Sequence, residues 1–154
     1  MAAERIARAL FDLAGLSVTG TAGPGRLAVA LFHGEENIEF ASQCEPVIIH
    51  RKPPRLFLRT GLTDEELSLC VATGIAEWWL LEHPEDRHVT TRGRLAAAIA
   101  LPELALREAI GRLGADAARI ACEFVVPVDF VADRMQTVKP ARGSGARYRF
   151  GCAS

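Results

Sequence analysis

Three side chains that could do chemistry fall on one helical stripe: Cys70, Thr73 and Glu77, within DEELSLCVATGIAEWWLLEH. Residues three and four apart share a helix face. A thiol, a hydroxyl and a carboxylate presented together could hold a small ligand or a partner's side chain. Glu77 stands between Ala76 and Trp78 in otherwise apolar sequence. A buried carboxylate is costly unless paired or protonated. The plain structural reading therefore gives Glu77 an arginine partner, with Arg59, Arg92 and Arg94 as candidates. His83 and His88 flank Pro-Glu-Asp-Arg directly after the same stretch. Zinc accepts nitrogen, sulfur and oxygen donors, so these histidines could join Cys70 and Glu77 around a metal. Their spacing matches no established ligand pattern, and two solvated surface histidines is the simpler reading. Trp78 and Trp79 must point in different directions on a helix. One belongs to the core, and the other is free to sit at an interface or under a loop. The candidate binding pocket is thus Cys70, Thr73, Glu77, Trp78, His83 and His88.

Elsewhere the chain carries little chemistry. The other histidines are His33 and His50, and the four cysteines, Cys44, Cys70, Cys122 and Cys152, form no C-x-x-C pair. Zinc ribbons and fingers are therefore not expected. No P-loop, dinucleotide-binding glycine pattern, G-x-S-x-G or nucleophile–base pair is present.

The length, 154 residues, suits one domain, and the 49% hydrophobic content is enough to offset chain entropy. A formal net charge of -1 gives no global drive toward nucleic acid or anionic lipid. Arginine supplies nearly all the basic residues, with lysine only at Lys52 and Lys139. The first residues, MAAERIARALFDLAGL, are interrupted by charges and do not form a secretory signal. No apolar run is long enough for a bilayer. A cytoplasmic protein with free thiols, without a membrane partner, is the expectation.

The elements that must position these residues follow from periodicity and punctuation. Ile6, Leu10, Leu13 and Leu16 predict an amphipathic helix over 3–15. TGTAGPG at 19–25 reads as a loop. Short extended segments are predicted at 26–32, 37–41, 47–50 and 55–60, forming a small antiparallel sheet or set of hairpins. Thr63 and Glu66 form a T-x-x-E capping box that opens a helix running to Glu82, before Pro84. That helix is apolar on almost every face after Leu67, which predicts the most buried element of the fold. A second helix runs into Pro102, and a third begins there and stops at Gly114. Asp116 caps a short helix, and Pro127 opens a last one. The segment 117–137 has a helix–turn–helix-like pattern, and its second helix carries Asp129, Asp133 and Arg134. Those acids make a poor surface for phosphates. The class is α+β: an N-terminal sheet packed on a helical C-terminal half. Residues 1–137 make a single domain, and 138–154 form a basic tail whose composition predicts mobility.

The order of these pieces resembles the ImmA/IrrE metallopeptidase family over residues 45 to 135. In that family a sheet precedes a helix bearing A-H-E-x-x-H-x-L. Two further helices and a helix–turn–helix-like pair follow. The zinc helix is matched here by Ala72-Thr73-Gly74-Ile75-Ala76-Glu77-Trp78-Trp79-Leu80. The next helix ends as Arg94-Leu95-Ala96-Ala97-Ala98-Ile99-Ala100-Leu101-Pro102, and Leu106-Arg107-Glu108-Ala109-Ile110 follows. The resemblance implies a zincin-like framework. It places Thr73 and Glu77 at the two histidine positions, Gly74 at the general base and Thr91 near the third ligand. Zinc peptidases need imidazoles one turn apart and a glutamate to activate water. Thr73, Gly74, Glu77 and Thr91 are vestigial positions on this reading, with no catalytic residue, metal or cofactor.

The function implied is a pseudopeptidase that binds another protein. By resemblance that partner is an XRE-type transcriptional regulator of a phage or other mobile element. One alternative is a DNA-binding accessory regulator using the last helix pair and basic tail. A second is a metal-dependent hydrolase with relocated ligands.

Overall fold

The computed structural model describes residues 1–20, 22–42 and 45–138. The chain opens with helix α1, Ala2–Leu13, whose buried stripe is Ala3, Ile6, Ala7, Leu10 and Phe11. Leu13, expected within the stripe, lies at its edge and is 70% exposed.

Residues 26–32 are not a strand. Helix α2 spans Pro24–Leu31 and buries Leu27, Ala28 and Leu31 on one face. A short run apolar at nearly every position fits both periods, so pattern alone does not separate them. Pro24 in the first turn, with φ already helical, decides it. His33 and Gly34, both at positive φ, then turn the chain into the sheet.

Three strands follow: β1 Ile38–Ala41, β2 Val47–Arg51 and β3 Pro54–Arg59. Their order is β1-β3-β2, so the last strand in sequence is the central one. β2 and β3 form the expected antiparallel hairpin, with Ile48 opposite Phe57. β1 departs from an all-antiparallel sheet and pairs parallel to β3, with Ile38 beside Leu56. The connection after β1 carries the chain to the far edge rather than to the adjacent position, so β3 returns along β1's own direction. Leu56 and Leu58 are buried on the inner face. The outer face is solvated: Arg55 pairs with Glu39 and lies over the Phe57 ring, which His50 also touches.

Helix α3, Asp64–Glu82, packs on that inner face. Its start is the expected capping box, in which the Thr63 hydroxyl accepts from the Glu66 N–H at 3.2 Å and the Glu66 carboxylate accepts from the Thr63 N–H at 2.9 Å. Val71, Ala72, Gly74, Ile75, Ala76 and Leu80 are buried, while both ends of α3 are more open. Helix α4, Arg92–Ala100, is buried over a larger share of its length than α3, against expectation. It lies between α3 and α1, both of which pack on it.

Helix α5, Glu103–Leu113, ends at Gly114, where φ is 75°. Helix α6, Ala117–Phe124, is capped by the Asp116 carboxylate, which accepts from the Arg119 N–H at 3.1 Å. Helix α7, Val128–Thr137, packs on α6. The result is the α+β class, a small mixed sheet with seven α-helices among the described residues. No described helix is long and apolar enough to cross a membrane. The basic tail beyond Val138 lies outside the described residues.

Candidate functional site

About two turns of α3 place Cys70, Thr73 and Glu77 along one partly buried stripe. Each has a local explanation. The Thr73 hydroxyl donates to the Leu69 carbonyl of its own helix at 2.8 Å. The Cys70 thiol is held above its ordinary pKa of 9.0 chiefly by burial. Arg59 draws it down and Glu66 pushes it up, both by smaller amounts. A thiol shifted this way is mostly protonated at neutral pH, a poor nucleophile and a poor metal ligand.

Glu77 meets Arg92, one of its three candidate partners, at 3.5 Å. The pair is not buried: the side chains are 37% and 60% exposed. The sequence context suggested burial because Ala76 and Trp78 are apolar, but Glu77 points out of the helix bundle between them.

Glu77 and Thr91 line one shallow cavity of about 370 Å³, with Leu80, Leu81, Arg87, Thr90 and Arg92. Two of the four positions singled out by the resemblance, Glu77 and Thr91, therefore line the same cavity. Thr91 already has a task there, as its hydroxyl caps α4 by accepting from the Arg94 N–H at 3.3 Å. Arg87, also in the lining, donates to the Leu80 carbonyl at 2.9 Å.

Gly74 faces the sheet. A β-carbon there would stand 2.4 Å from Leu56 Cδ1 and 3.1 Å from Val47 Cγ2. Leu56 is fully buried in the core, so it has little room to yield. Glycine at this position lets α3 lie directly on β2 and β3.

The rest of the candidate pocket disperses. Trp78 packs edge-on against Phe32, with ring centroids 5.3 Å apart. Trp79 meets Trp78 edge-on at 6.3 Å, donates its indole N–H to Asp86 at 2.8 Å and stacks on His83 at 3.7 Å. Both tryptophans are thus committed to packing or bonding inside the fold. His83 also approaches the Trp79 carbonyl through Nδ1, at 3.2 Å. His88 is exposed on the 3-10 turn Pro84–His88. Among the described residues no three His, Cys, Asp or Glu side chains are grouped to hold a metal.

Two features were not found by sequence reasoning. A cavity of about 340 Å³ between α1 and α5 is lined by Arg5, Arg8 and Arg107 together with Val18 and Leu104. The spacing of Arg5 and Arg8 on one face of α1 was its only sequence signal. Arg134, grouped with Asp129 and Asp133 as a helix surface, is instead buried. Its guanidinium reaches the Leu101 carbonyl and Glu4, while Asp129 and Asp133 remain exposed one turn apart.

No family model matches the chain, and no curated protein matches it. Among solved structures, a Mycobacterium tuberculosis transcriptional regulator superposes with a TM-score of 0.62 at 18% sequence identity. The likeness is one of fold. It covers 91% of this chain and 48% of that one, so the chain spans about half the length of the regulator.

Proposed function

We infer that this chain is a non-enzymatic regulatory domain that acts by binding another protein, on a framework of the ImmA/IrrE type. The observation that carries the reading is the placement of Gly74. On the family resemblance it occupies the general-base position. Here even a β-carbon would collide with Leu56 and crowd Val47, so a glutamate side chain has no space. The helix that would carry catalysis serves as a packing surface at that position. Thr73 is turned onto its own backbone, Glu77 onto Arg92, and Thr91 onto the start of α4.

A regulatory role agrees with the function named for the structural neighbour, a transcriptional regulator. The partner proposed is a DNA-bound regulator of the XRE type. Contact through α7 alone is disfavoured, because exposed Asp129 and Asp133 would repel phosphates.

The experiment is a reporter assay in the native host combined with promoter binding by purified proteins. Wild type and Thr73→Ala/Glu77→Ala should regulate equally, and promoter occupancy should change only when the partner is added. A partner cut by wild type but left whole by the double variant would establish a peptidase instead. Sequence-specific promoter binding by this chain alone would favour the DNA-binding alternative.

A further inference from the structure

The cavity of about 340 Å³ between α1 and α5 carries an unbalanced charge. Its lining holds two carboxylates, Glu4 and Glu103, and three guanidiniums, Arg5, Arg8 and Arg107. Both carboxylates are committed. Glu4 gives one oxygen to Arg134 and the other to the Glu103 N–H. Glu103 accepts two bonds from Arg107, at 2.9 and 2.7 Å. Arg5 and Arg8 remain. Both are exposed, and neither has an ion pair or a side-chain hydrogen bond among the described residues. Two cations therefore border the cavity with no counter-charge from the chain.

Their placement follows from α1. Met1, Glu4, Arg5 and Arg8 recur at helical spacing, so they share the face beside the buried stripe. The rest of the lining is apolar. Val18 packs against the core from the segment after α1, and Leu104 of α5 is 45% exposed. The volume falls at the lower end of small-molecule sites, about 300–1,000 Å³. Candidate anions make different demands on it. A carboxylate matches one guanidinium fork, so a monocarboxylate leaves the second arginine uncompensated. A phosphate monoester carries a charge of about −1.5 to −2 at neutral pH, with three acceptor oxygens, enough for both arginines. Inorganic phosphate would use the cations but leave Val18 and Leu104 in water.

We propose that this cavity binds a small phosphate monoester, with the phosphate on Arg5 and Arg8 and the apolar body against Val18 and Leu104. Such a site needs no protein partner and stands independently of the regulatory reading above. Its lining spans two helices, so an occupant ties α1 to α5 beside the contact that Glu4 already makes. Binding to the folded chain alone then raises the melting transition.

The experiment is titration calorimetry of the full chain with phenyl phosphate, which should fill one saturable site per chain. Inorganic phosphate should bind several-fold more weakly for want of the apolar body, and benzoate several-fold more weakly for want of the second charge. Arg5→Gln/Arg8→Gln should lower the affinity for phenyl phosphate by about tenfold or more. Leu104→Ser should lower it several-fold. Arg5 and Arg8 are exposed and unpaired, so the unliganded double variant should melt with wild type. Arg119→Gln, exposed on α6 and outside the lining, should bind as wild type does. No saturable site in wild type would overturn the proposal, as would undiminished affinity in Arg5→Gln/Arg8→Gln. Benzoate bound as tightly as phenyl phosphate would overturn the phosphate assignment, and an equal loss in Arg119→Gln would reduce binding to diffuse attraction. Duplex DNA bound through Arg5 and Arg8, with phenyl phosphate ignored, would overturn it too, assigning the arginines to a polyanion surface.

Discussion

Arg134 of α7 and Glu4 of α1, 130 positions apart, form a largely buried ion pair at 2.5 Å. The side chains are only 9% and 17% exposed. Both have further partners. Arg134 donates to the Leu101 carbonyl from Nη2 at 2.9 Å and from Nε at 3.2 Å. Glu4 accepts the Glu103 N–H at 2.9 Å, at the open start of α5. One carboxylate and one guanidinium thus join α1, α5, α7 and the end of α4. Breaking a buried pair leaves an uncompensated charge, which costs about 3–5 kcal/mol. Arg134→Ala should lose about that much stability in a urea titration. Arg134→Lys should recover little, because one ammonium cannot reproduce the planar fork that reaches Leu101 and Glu4 together. Full recovery by lysine would show that charge alone matters here.

Gly74 sets two effects against each other. Alanine in a helix interior gains about 1 kcal/mol over glycine. Overpacking a filled core costs about 1–3 kcal/mol. With Leu56 Cδ1 at 2.4 Å, the clash should win, and Gly74→Ala should lower the denaturation midpoint. Installing an H-E-x-x-H motif with Thr73→His, Gly74→Glu and Glu77→His should destabilise further and yield no tight stoichiometric zinc by elemental analysis. One firmly held zinc in a well-folded triple variant would remove the packing argument against catalysis.

The Glu77–Arg92 pair should contribute little to stability. Exposed pairs are typically worth about 0–1 kcal/mol. Glu77→Gln and Arg92→Ala should each shift stability by less than about 0.5 kcal/mol, in contrast to Arg134→Ala. A larger loss would mean that Glu77 supports more than this contact.

Cys70 makes a signed prediction about pH. Its folded pKa is raised above 9.0 by burial, so the fold favours the neutral thiol. The associated stability is complete below the unfolded pKa. It is lost as pH rises through that value toward the folded one, because the unfolded chain releases its proton first. Wild type should therefore lose more stability than Cys70→Ala between neutral pH and alkaline conditions. At neutral pH, alkylation followed by peptide mapping should find Cys70 slower to react than exposed Cys122.

The helical half was legible because its boundaries are written locally. Thr63, Asp116, Pro102, Gly114 and Pro127 each satisfy or deny a backbone group, and each marks a helix end where expected. α2 was hidden because Leu27 to Leu31 is apolar at every step, leaving no period to read. The parallel placement of β1 was hidden too, since strand order depends on tertiary packing rather than on any one segment. The Glu77–Arg92 pair could be anticipated from the need for a counter-charge, but its exposure could not. Arg134 was misplaced for the opposite reason: a cation beside two acids looks like surface, and only folding brings Glu4 to it.

The central position of β3 imposes an order on assembly. β2 and β3 can zip together from a tight turn, at small cost in chain entropy. β1 has no partner until β3 exists, because among the described residues Ile38 to Ala41 pair only with residues 56 to 59. The parallel pairing is therefore a late, non-local event. Leu56→Ala, in the hairpin core, should slow refolding, whereas Ala41→Gly at the far edge should chiefly speed unfolding in stopped-flow experiments. The reverse pattern would place β1 in the nucleus. If the order holds, the earliest organised part of the sheet is the strand pair that cradles Gly74, and α3 finds its seat before the sheet is whole.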